Sequence, residues 1–373
     1  MQFIDLKTQY TLYQADIDAR MSAVLRHGGF IMGPEIGELE QALAEYVRVR
    51  HCVSVCSGTT SLEIALRAWN IGPGDEVITV PFTWISSAEV IRLVGATPVF
   101  VDIDADTFNI SLQAVEAAIT ERTKAILPVC LFGQMPDFSQ LNAIAARHGI
   151  PVLEDAAQSF GATQQGRRSC GVSTVGSTSF FPAKPFGCYG DGGALFTDDD
   201  DLAERMRAIR THGGVRRHHH TLVGTNGRLD TLQAAVLLAK FPHFRTEVRA
   251  RGEIGARYSD LLNDICDVPS VACGNTHVYA QYTVRLPNRD LVAADLKEHG
   301  IPTAVYYPKC LHEQPVFADL GYQFGDFPVS EQASREVLSL PMHPFLSEQD
   351  QNRVVTALKA SVLRRSATGR RAA

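Results

Sequence analysis

The stretch SFFPAKPFGCYGDGG, Ser179 to Gly193, places a single lysine, Lys184, between two prolines and ahead of four glycines. Because Pro182 and Pro185 fix φ and remove backbone donors, Lys184 is expected to lie outside a helix. The glycines permit tight turns or a close approach of the backbone to a bound group. A solvated lysine on a surface turn is the ordinary interpretation of such a residue, and the rest of the chain has to overturn it.

The composition limits the classes of protein to which the chain can belong. The chain has 373 residues, 45% hydrophobic and 20% charged, which is enough for two domains or for one large domain with an appendage. No apolar run approaches the ~20 residues that cross a bilayer, and the N-terminal MQFIDLKTQY lacks a signal-peptide pattern. The net charge of −6 argues against a nucleic-acid partner. Eight cysteines without a CxxC pair are typical of free cytoplasmic thiols.

We therefore expect a cytoplasmic protein that neither inserts into a membrane nor binds nucleic acid. The run His218–His220 has no acidic or cysteine residue nearby in the sequence, so no metal is assigned to it and its role stays open.

Strand-like and helical patterns alternate from about residue 50, which predicts βαβ units and a mostly parallel sheet with helices on both faces. The predicted strands are His51–Cys56, Glu76–Val80, Thr97–Asp102, Ala125–Val129, Pro151–Glu154, Thr178–Phe181 and Ala194–Thr197. Two helices are predicted after them, over Leu229–Lys240 and Phe244–Asn263.

The pattern changes after residue 263 to that of a smaller α+β unit. It predicts a strand over His277–Arg285 and helices over Asp290–His299, Ser330–Ser339 and Glu348–Leu363. We expect a large domain with an N-terminal arm at residues 1–250 and a small C-terminal domain at residues 251–373. The last fifteen residues, KASVLRRSATGRRAA, are interpreted as a disordered basic tail.

Two short polar motifs follow predicted strands. In SGTTS, residues 57–61, Gly58 permits close approach, Thr59 and Thr60 carry hydroxyls, and a helix N-terminus offers free N–H groups to a phosphate. In VLEDAAQS, residues 152–159, Asp155 ends an apolar strand and Gln158 follows three residues later. Taken alone, each motif is equally compatible with ordinary helix capping.

These two motifs and the stretch Ser179–Gly193 are expected to lie at the same edge of the sheet. Ligands of open parallel sheets bind beyond the carboxyl ends of the strands. Lys184 lies 29 residues after Asp155, and Ser179 adds a further hydroxyl for a phosphate. A phosphate cradle, a carboxylate and an isolated lysine together indicate pyridoxal phosphate (PLP). The lysine would form the Schiff base, and the carboxylate would keep the ring nitrogen protonated.

These motifs also carry a family resemblance that covers nearly the whole chain. The segments CSGTTSLEIAL, EDAAQSFGA, SFFPAKPFGCYGDGGALFT and GTNGRLDTLQAAVL resemble the PLP-dependent nucleotide-sugar aminotransferases of the aspartate-aminotransferase fold type, fold type I. The resemblance implies a large domain with a mostly parallel, seven-stranded type of sheet and a smaller α+β domain. It also implies a homodimer with shared active sites.

The resemblance implies a role for each matching residue. It implies that Lys184 forms the Schiff base, that Asp155 pairs with the ring nitrogen and that Gln158 lies near the ring hydroxyl. It implies that Trp84 stacks on the ring. The residues that it implies for the phosphate are Gly58, Thr59, Thr60 and Ser179, together with Asn226 from the other subunit. Arg228 is the candidate for an acidic group of the substrate, because guanidinium binds carboxylate bidentately; a surface ion pair is the alternative. Tyr306 and Tyr307 complete the expected substrate site.

Within the family, the chain is most similar to the enzymes that aminate UDP-2-acetamido-2-deoxy-3-oxo-glucuronate for bacterial surface polysaccharide, such as O-antigen, with L-glutamate as donor and 2-oxoglutarate as product. In AVYYPKCLH, however, Tyr306 stands where the most similar members tend to carry histidine. Another UDP- or dTDP-linked 3- or 4-keto sugar is therefore the alternative substrate. Two further alternatives are a PLP-fold dehydratase, against which Lys184 counts, and a non-catalytic regulator.

Overall fold

Seven strands from the first two hundred residues form the sheet that positions the site. The computed structural model describes residues 1–216 and 218–369. The strands are β1 His51–Val55, β2 Glu76–Thr79, β3 Thr97–Phe100, β4 Thr123–Ile126, β5 Leu153–Asp155, β6 Thr163–Gln164, β7 Arg167–Arg168, β8 Val175–Ser179, β9 Gly193–Thr197, β10 Gly214–Arg216, β11 His219–His220, β12 Tyr282–Arg285 and β13 Val337–Leu340. Among them, β6–β7 and β10–β11 form small separate antiparallel pairs, and β10–β11 includes two of the three consecutive histidines.

The helices are α1 Leu6–His27, α2 Pro34–Val47, α3 Gly58–Ala68, α4 Ser86–Leu93, α5 Leu112–Ala118, α6 Phe138–Arg147, α7 Asp200–Arg210, α8 Thr231–Leu262, α9 Arg289–Glu298, α10 Pro328–Glu336 and α11 Glu348–Gly369. Short 3₁₀ turns occur at Leu131–Gly133, Leu311–Glu313 and Pro315–Leu320. Several helices begin where a serine or aspartate side chain accepts a backbone N–H of the first turn, which satisfies a donor that the helix itself leaves unpaired. These capping residues are Asp5, Ser57, Ser111, Asp137 and Asp199. Within the described residues, no helix is long and apolar enough to cross a bilayer.

The strand order is β1-β9-β8-β5-β4-β2-β3. Ladders join β1-β9-β8-β5 and β3-β2-β4, and parallel bridges between residues 126 and 152 and between 129 and 155 join β4 to β5. Only β9 runs against its neighbours in this sheet. The predicted mostly parallel, seven-stranded type of sheet is therefore confirmed.

Alternation along the strands gives the sheet two buried faces. On β1, Val53 and Val55 pack into the core cluster that includes α3, α4 and α6, whereas Cys52 packs into the cluster that includes α2 and α8. On β9, Leu195 and Phe196 divide in the same way. Helices on both faces leave the strand ends as the accessible edge of the sheet.

The C-terminal part adds a second small sheet. Strands β12 and β13 pair antiparallel, and their buried faces pack with α9, α11 and the end of α8 around Tyr258 and Tyr282. The helix expected over Ser330–Ser339 is wrong at its end, because residues 337–340 form β13. The helix α11 continues to Gly369, so the backbone of most of the expected disordered tail is helical; residues 370–373 lie outside the described part.

The two helices expected at Leu229–Lys240 and Phe244–Asn263 are one helix, α8. Pro242 lies inside it and removes one backbone donor, yet both flanking segments stay helical. They do so because α8 packs along α1 and α2, and this packing outweighs the missing hydrogen bond. The predicted domain division at residue 250 falls inside this helix and stays a prediction.

Candidate active site

The carboxyl ends of β1, β8 and β5 lie on one edge of the sheet. Ser179 ends β8 and Asp155 ends β5, while Gly193 begins the antiparallel β9 and pairs with both Ser179 and Val55. The topology therefore brings together residues that are far apart in the sequence. It does so where ligands of such sheets bind.

A tight cradle lies at the N-terminus of α3. A Cβ atom added to Gly58 would lie 2.7 Å from Cβ of Ser179, and one added to Gly193 would lie 2.6 Å from the carbonyl carbon of Ser57. The first N–H groups of α3 have no partner within the helix, and the helix dipole favours an anion there. Only glycine fits at these two positions, which leaves backbone donors open toward the cradle.

Hydroxyl groups surround this cradle. The Ser57 hydroxyl accepts a hydrogen bond from the N–H of Thr60 at 3.0 Å and donates to the Thr60 hydroxyl at 2.9 Å. Thr59 Oγ1 lies 2.7 Å from Oγ of Ser86, and Ser179 Oγ accepts from the N–H of Phe181 at 3.2 Å. The donor set of hydroxyls and backbone N–H groups suits a phosphate.

Asp155 is buried at the end of β5. Its carboxylate accepts hydrogen bonds from the Ser87 hydroxyl at 2.9 Å and from the N–H of Ala157 at 3.2 Å. Burial raises the pKa of Asp155, while these two hydrogen bonds and the nearby Lys184 oppose the rise. A buried carboxylate at this position is suited to hold a proton on a ring nitrogen.

Lys184 lies on the turn that follows β8, as its flanking prolines predict. Its backbone N–H donates to the carbonyl of Phe181 at 2.9 Å, and its side chain is half-buried. Burial lowers the pKa of the Lys184 amine, and the negative charge of Asp155 partly offsets this. The surface-turn interpretation therefore fails, because the amine interacts with a buried carboxylate.

Aromatic and amide groups form the wall beside them. Gln158 accepts a hydrogen bond from the N–H of Phe132 at 2.7 Å and donates to the Tyr307 hydroxyl at 3.2 Å. Burial and the charge of Asp155 raise the pKa of Tyr307. The Tyr307 ring lies 6.1 Å from Trp84, whose side chain is 58% exposed and so available for stacking.

Tyr306 continues the aromatic wall toward the N-terminal arm. Its ring centroid lies 5.8 Å from that of Tyr307 and 6.4 Å from that of Phe3. The structure thus brings Tyr306 and Tyr307 to the same wall as Trp84.

Asn226 and Arg228 line a cavity of about 370 Å³ with Ile31, Cys56 and Asp191 among its walls. Gly190, on the segment that follows Lys184, lines the same cavity, and a Cβ atom added to Gly227 would lie 3.1 Å from Cγ2 of Thr60 in the cradle. The Nε atom of Arg228 is buried, and no described residue gives it a hydrogen-bond partner. Within one chain, these two predicted residues have no contact with Lys184 among the described hydrogen bonds and ion pairs.

The structure adds residues that the sequence reasoning missed. Ser87 holds Asp155, and the backbone N–H of Phe132 holds Gln158. Gly193 closes the cradle behind Ser57. The serine pair that begins α4 was the only sequence signal for Ser87, whereas a backbone donor such as that of Phe132 leaves no signal.

The arrangement fits PLP in charge and shape. The cradle suits the phosphate, Asp155 suits the ring nitrogen, Lys184 supplies an amine of lowered pKa, and Trp84 offers an exposed aromatic face. A model of the DegT/DnrJ/EryC1/StrS aminotransferase family matches residues 12–359.

The chain belongs to this family. It is 53% identical over 347 residues to the UDP-2-acetamido-2-deoxy-3-oxo-D-glucuronate aminotransferase of Pseudomonas aeruginosa, covering 93% of this chain and 96% of that protein. A solved family member from Brucella abortus has a TM-score of 0.94 at 43% identity, covering 97% of this chain and 99% of the other. DesV of S. venezuelae, solved in complex with a ketimine intermediate, has a TM-score of 0.95 at 40% identity, covering 96% and 97%.

Membership in the DegT/DnrJ/EryC1/StrS family confirms the predicted enzyme class. The chain is a PLP-dependent sugar aminotransferase of fold type I. This finding favours the aminotransferase over the dehydratase and over the non-catalytic regulator.

Proposed function

We propose that this enzyme transfers an amino group from L-glutamate to a nucleotide-linked keto sugar, with UDP-2-acetamido-2-deoxy-3-oxo-glucuronate as the preferred acceptor. The observation that carries the proposal is the half-buried Lys184, which interacts with the buried Asp155 beside a cradle for an anion. The choice of acceptor is supported by the 53% identity to the aminotransferase that acts on this sugar.

PLP, when bound, supplies an electron sink that accepts the amino group and the electron pair released at the substrate carbon. In the proposed mechanism the cradle at Gly58 and Ser179 binds the phosphate. Asp155 holds a proton on the pyridine nitrogen, and its buried hydrogen bonds from Ser87 and Ala157 keep the carboxylate oriented.

Lys184 carries the proton transfer. Its amine would hold the cofactor in the resting enzyme and would act as the base that removes the proton from the substrate carbon that bears the amino group. A base must be neutral to accept a proton, and burial lowers the pKa of Lys184 in that direction. Gln158, Tyr307 and Trp84 would line one side of the bound cofactor.

We also propose that the enzyme works as a homodimer in the cytoplasm, in bacterial surface-polysaccharide synthesis. The dimer is supported by exposed large apolar side chains, namely Phe30, Ile31, Met32, Trp84 and Phe181. In the dimer, Asn226 and Arg228 would reach the partner's cofactor and substrate. The cytoplasmic location is supported by free cysteines throughout the described residues.

The experiment uses the cofactor's visible absorbance. Protein loaded with PLP is mixed with candidate amino sugar nucleotides in the absence of a keto acid, with Lys184→Ala as control. We expect UDP-2-acetamido-3-amino-glucuronate to bleach the absorbance and a dTDP-4-amino sugar to leave it unchanged. Bleaching by the 4-amino sugar alone would reject the proposed acceptor and keep the enzyme class.

A matched variant addresses the phenol at Tyr306. If this position contacts the sugar carboxylate, Tyr306→His should lower KM for the uronate and leave KM for glutamate unchanged, because a protonated imidazole binds carboxylate more strongly. An unchanged KM for the uronate would place carboxylate recognition elsewhere.

A further inference from the structure

The turn that carries Lys184 is folded back on itself. The Lys184 N–H donates to the carbonyl of Phe181, and a Cβ atom added to Gly187 would lie 2.6 Å from the carbonyl oxygens of both Phe181 and Pro182. Gly187 therefore packs directly on the carbonyl groups that close the lysine turn. Any shift of Gly187 must shift the backbone of Lys184 with it.

One face of α8 contacts this turn at two points. Gln233 and Lys240 lie seven residues apart, about two helical turns, and so share a face. Gln233 accepts a hydrogen bond from the N–H of Tyr189 at 2.9 Å, and Lys240 Nζ donates to the carbonyl of Gly187. The Gln233 amide also lies 2.9 Å from the position of a Cβ added to Gly190.

Lys240 is an unusual residue for a helix face in a core. It is only 4% exposed, and burying an ammonium group is costly unless hydrogen bonds compensate it. The compensation here is the Gly187 carbonyl, together with the face of the Tyr189 ring, whose centroid lies 5.4 Å from Nζ. Its polar contacts thus go to the segment that follows Lys184.

The groups around Lys240 set its charge. Burial lowers the pKa of Lys240 to about 8; Glu247 and Cys188 act against this, and Arg251 adds to it. Glu247 is itself held from α1, where Gln9 donates to both of its oxygens at 2.9 Å. The ammonium is therefore charged at neutral pH, and its hydrogen bond to Gly187 is charge-assisted.

We propose that Gln233 and Lys240 are positioning residues, which clamp the Gly187–Gly190 segment to α8 and thereby fix the amine of Lys184. Neither side chain needs to touch the cofactor or the substrate for this role. The inference rests on the proposed role of Lys184 and deepens it. It names the element, α8, that holds the proton-transfer group in place.

The test removes each clamp point separately. Lys240→Met removes the donor and keeps the length of the side chain, Gln233→Leu removes the acceptor, and Gln233→Glu restores an acceptor. Arg249→Met, on an exposed part of the same helix, is the matched control for loss of a cation. Amide hydrogen exchange over residues 180–193, measured without cofactor, reports on the turn independently of activity.

We expect Lys240→Met, which removes a hydrogen bond from a charged group, to speed exchange at residues 184–190 by roughly tenfold, and Gln233→Leu, which removes one between neutral groups, to speed it by roughly fivefold. Exchange in β9 should change less than exchange in the lysine turn, the melting temperature should fall by a few degrees at most, and kcat should fall by a larger factor than KM changes. Gln233→Glu should restore protection, and Arg249→Met should resemble the parent enzyme.

Unchanged exchange at residues 184–190 in both variants would overturn the clamp, and so would equal loss of protection across the whole core. If Lys240→Met does not fold, the Gln233→Leu and Gln233→Glu pair decides alone. Full transamination by Lys184→Ala would instead reject the proposed role of Lys184, and the exchange data would stand apart from that result.

Discussion

The cradle at Gly58 leaves no room for a side chain. Its Cα faces Ser179 so closely that an added methyl group would lie 2.7 Å from the serine Cβ, a separation that real Cβ atoms essentially never have. Both residues sit on rigid elements, the start of α3 and the end of β8, so neither can move alone. The anion site therefore requires glycine at position 58.

We expect Gly58→Ala to weaken PLP binding by at least tenfold and to cost about 1–3 kcal/mol of stability, because the overpacked contact separates α3 from β8. Equilibrium dialysis of the cofactor and thermal melting of the cofactor-free protein measure the two effects. Gly37→Ala is the matched control: Gly37 lies in α2 with open space around it, so the same change should be neutral or slightly stabilising. Equal effects at both glycines would contradict the steric argument.

At the scale of elements, β5 separates two neighbouring carboxyl groups by its alternation. Asp155 faces the site, whereas Glu154 is fully buried and accepts hydrogen bonds from the Ser169 hydroxyl at 2.8 Å and the Cys170 N–H at 2.9 Å. Burial raises the pKa of Glu154 to about 7, although these hydrogen bonds oppose the rise. The strand therefore carries, next to its functional carboxyl group, a second one whose pKa is raised by burial.

This burial predicts a pH dependence of stability. A folded-state pKa above the unfolded value favours the protonated form, so the contribution of Glu154 is complete below about pH 4.5 and is lost as the pH rises to about 7. Glu154→Gln keeps the shape and stays neutral. In urea unfolding, we expect the stability of this variant relative to the parent to rise by about 3 kcal/mol between these limits. A constant difference would show that folding does not raise the pKa of Glu154.

The sequence predicts where helices and strands lie better than it predicts which of them pair or pack together. Period and length predict the parallel strands to within three residues at either end, because each is an apolar run bounded by polar turns. The direction of β9, the continuity of α8 through Pro242 and the strand β13 were not predictable, since each depends on tertiary contacts. The short run Val337–Leu340 has the pattern of a buried helix end until Tyr282–Arg285 pairs with it.

The residues of the candidate site also divide into those that the sequence indicates and those that only the folded structure shows. Lys184, Asp155 and Gln158 could be proposed as site residues from the sequence because they lie at or after the ends of strands, among unusual neighbours. Ser87 could not, because its hydrogen bond to Asp155 joins residues 68 positions apart. The clamp residues Gln233 and Lys240 could not either, since only the folded chain brings α8 to the lysine turn.

At the scale of the whole molecule, the location of Arg228 predicts how two chains share their sites. Within one chain, Arg228 lines a cavity with Ile31, Asp191 and Gly190. If the partner supplies Arg228, a site is built from Lys184 of one chain and Arg228 of the other. Each single variant then damages both sites of its own homodimer.

Mixing two inactive variants tests whether the two chains share their active sites. We expect Lys184→Ala and Arg228→Ala homodimers each to lose most activity, and hybrids made by co-refolding them to regain one intact site in two. Specific activity of the purified hybrid, relative to the parent dimer, measures the recovery. Two sites confined to single chains would leave every hybrid inactive, and monomers in sedimentation would reject the dimer itself.

The pairing of β1 with β9 also constrains the order in which the nascent chain can fold. Residues 51–55 leave the ribosome early, but their partner strand, residues 193–197, follows only after β2, β3, β4, β5 and β8 have been synthesised. Until then β1 has an unpaired edge, and the groove between Ser57 and Ser179 lacks the Gly193 that closes it. The nascent chain therefore acquires its cofactor cradle late and in one step, and any slowing of translation before residue 193 prolongs the life of an exposed strand edge.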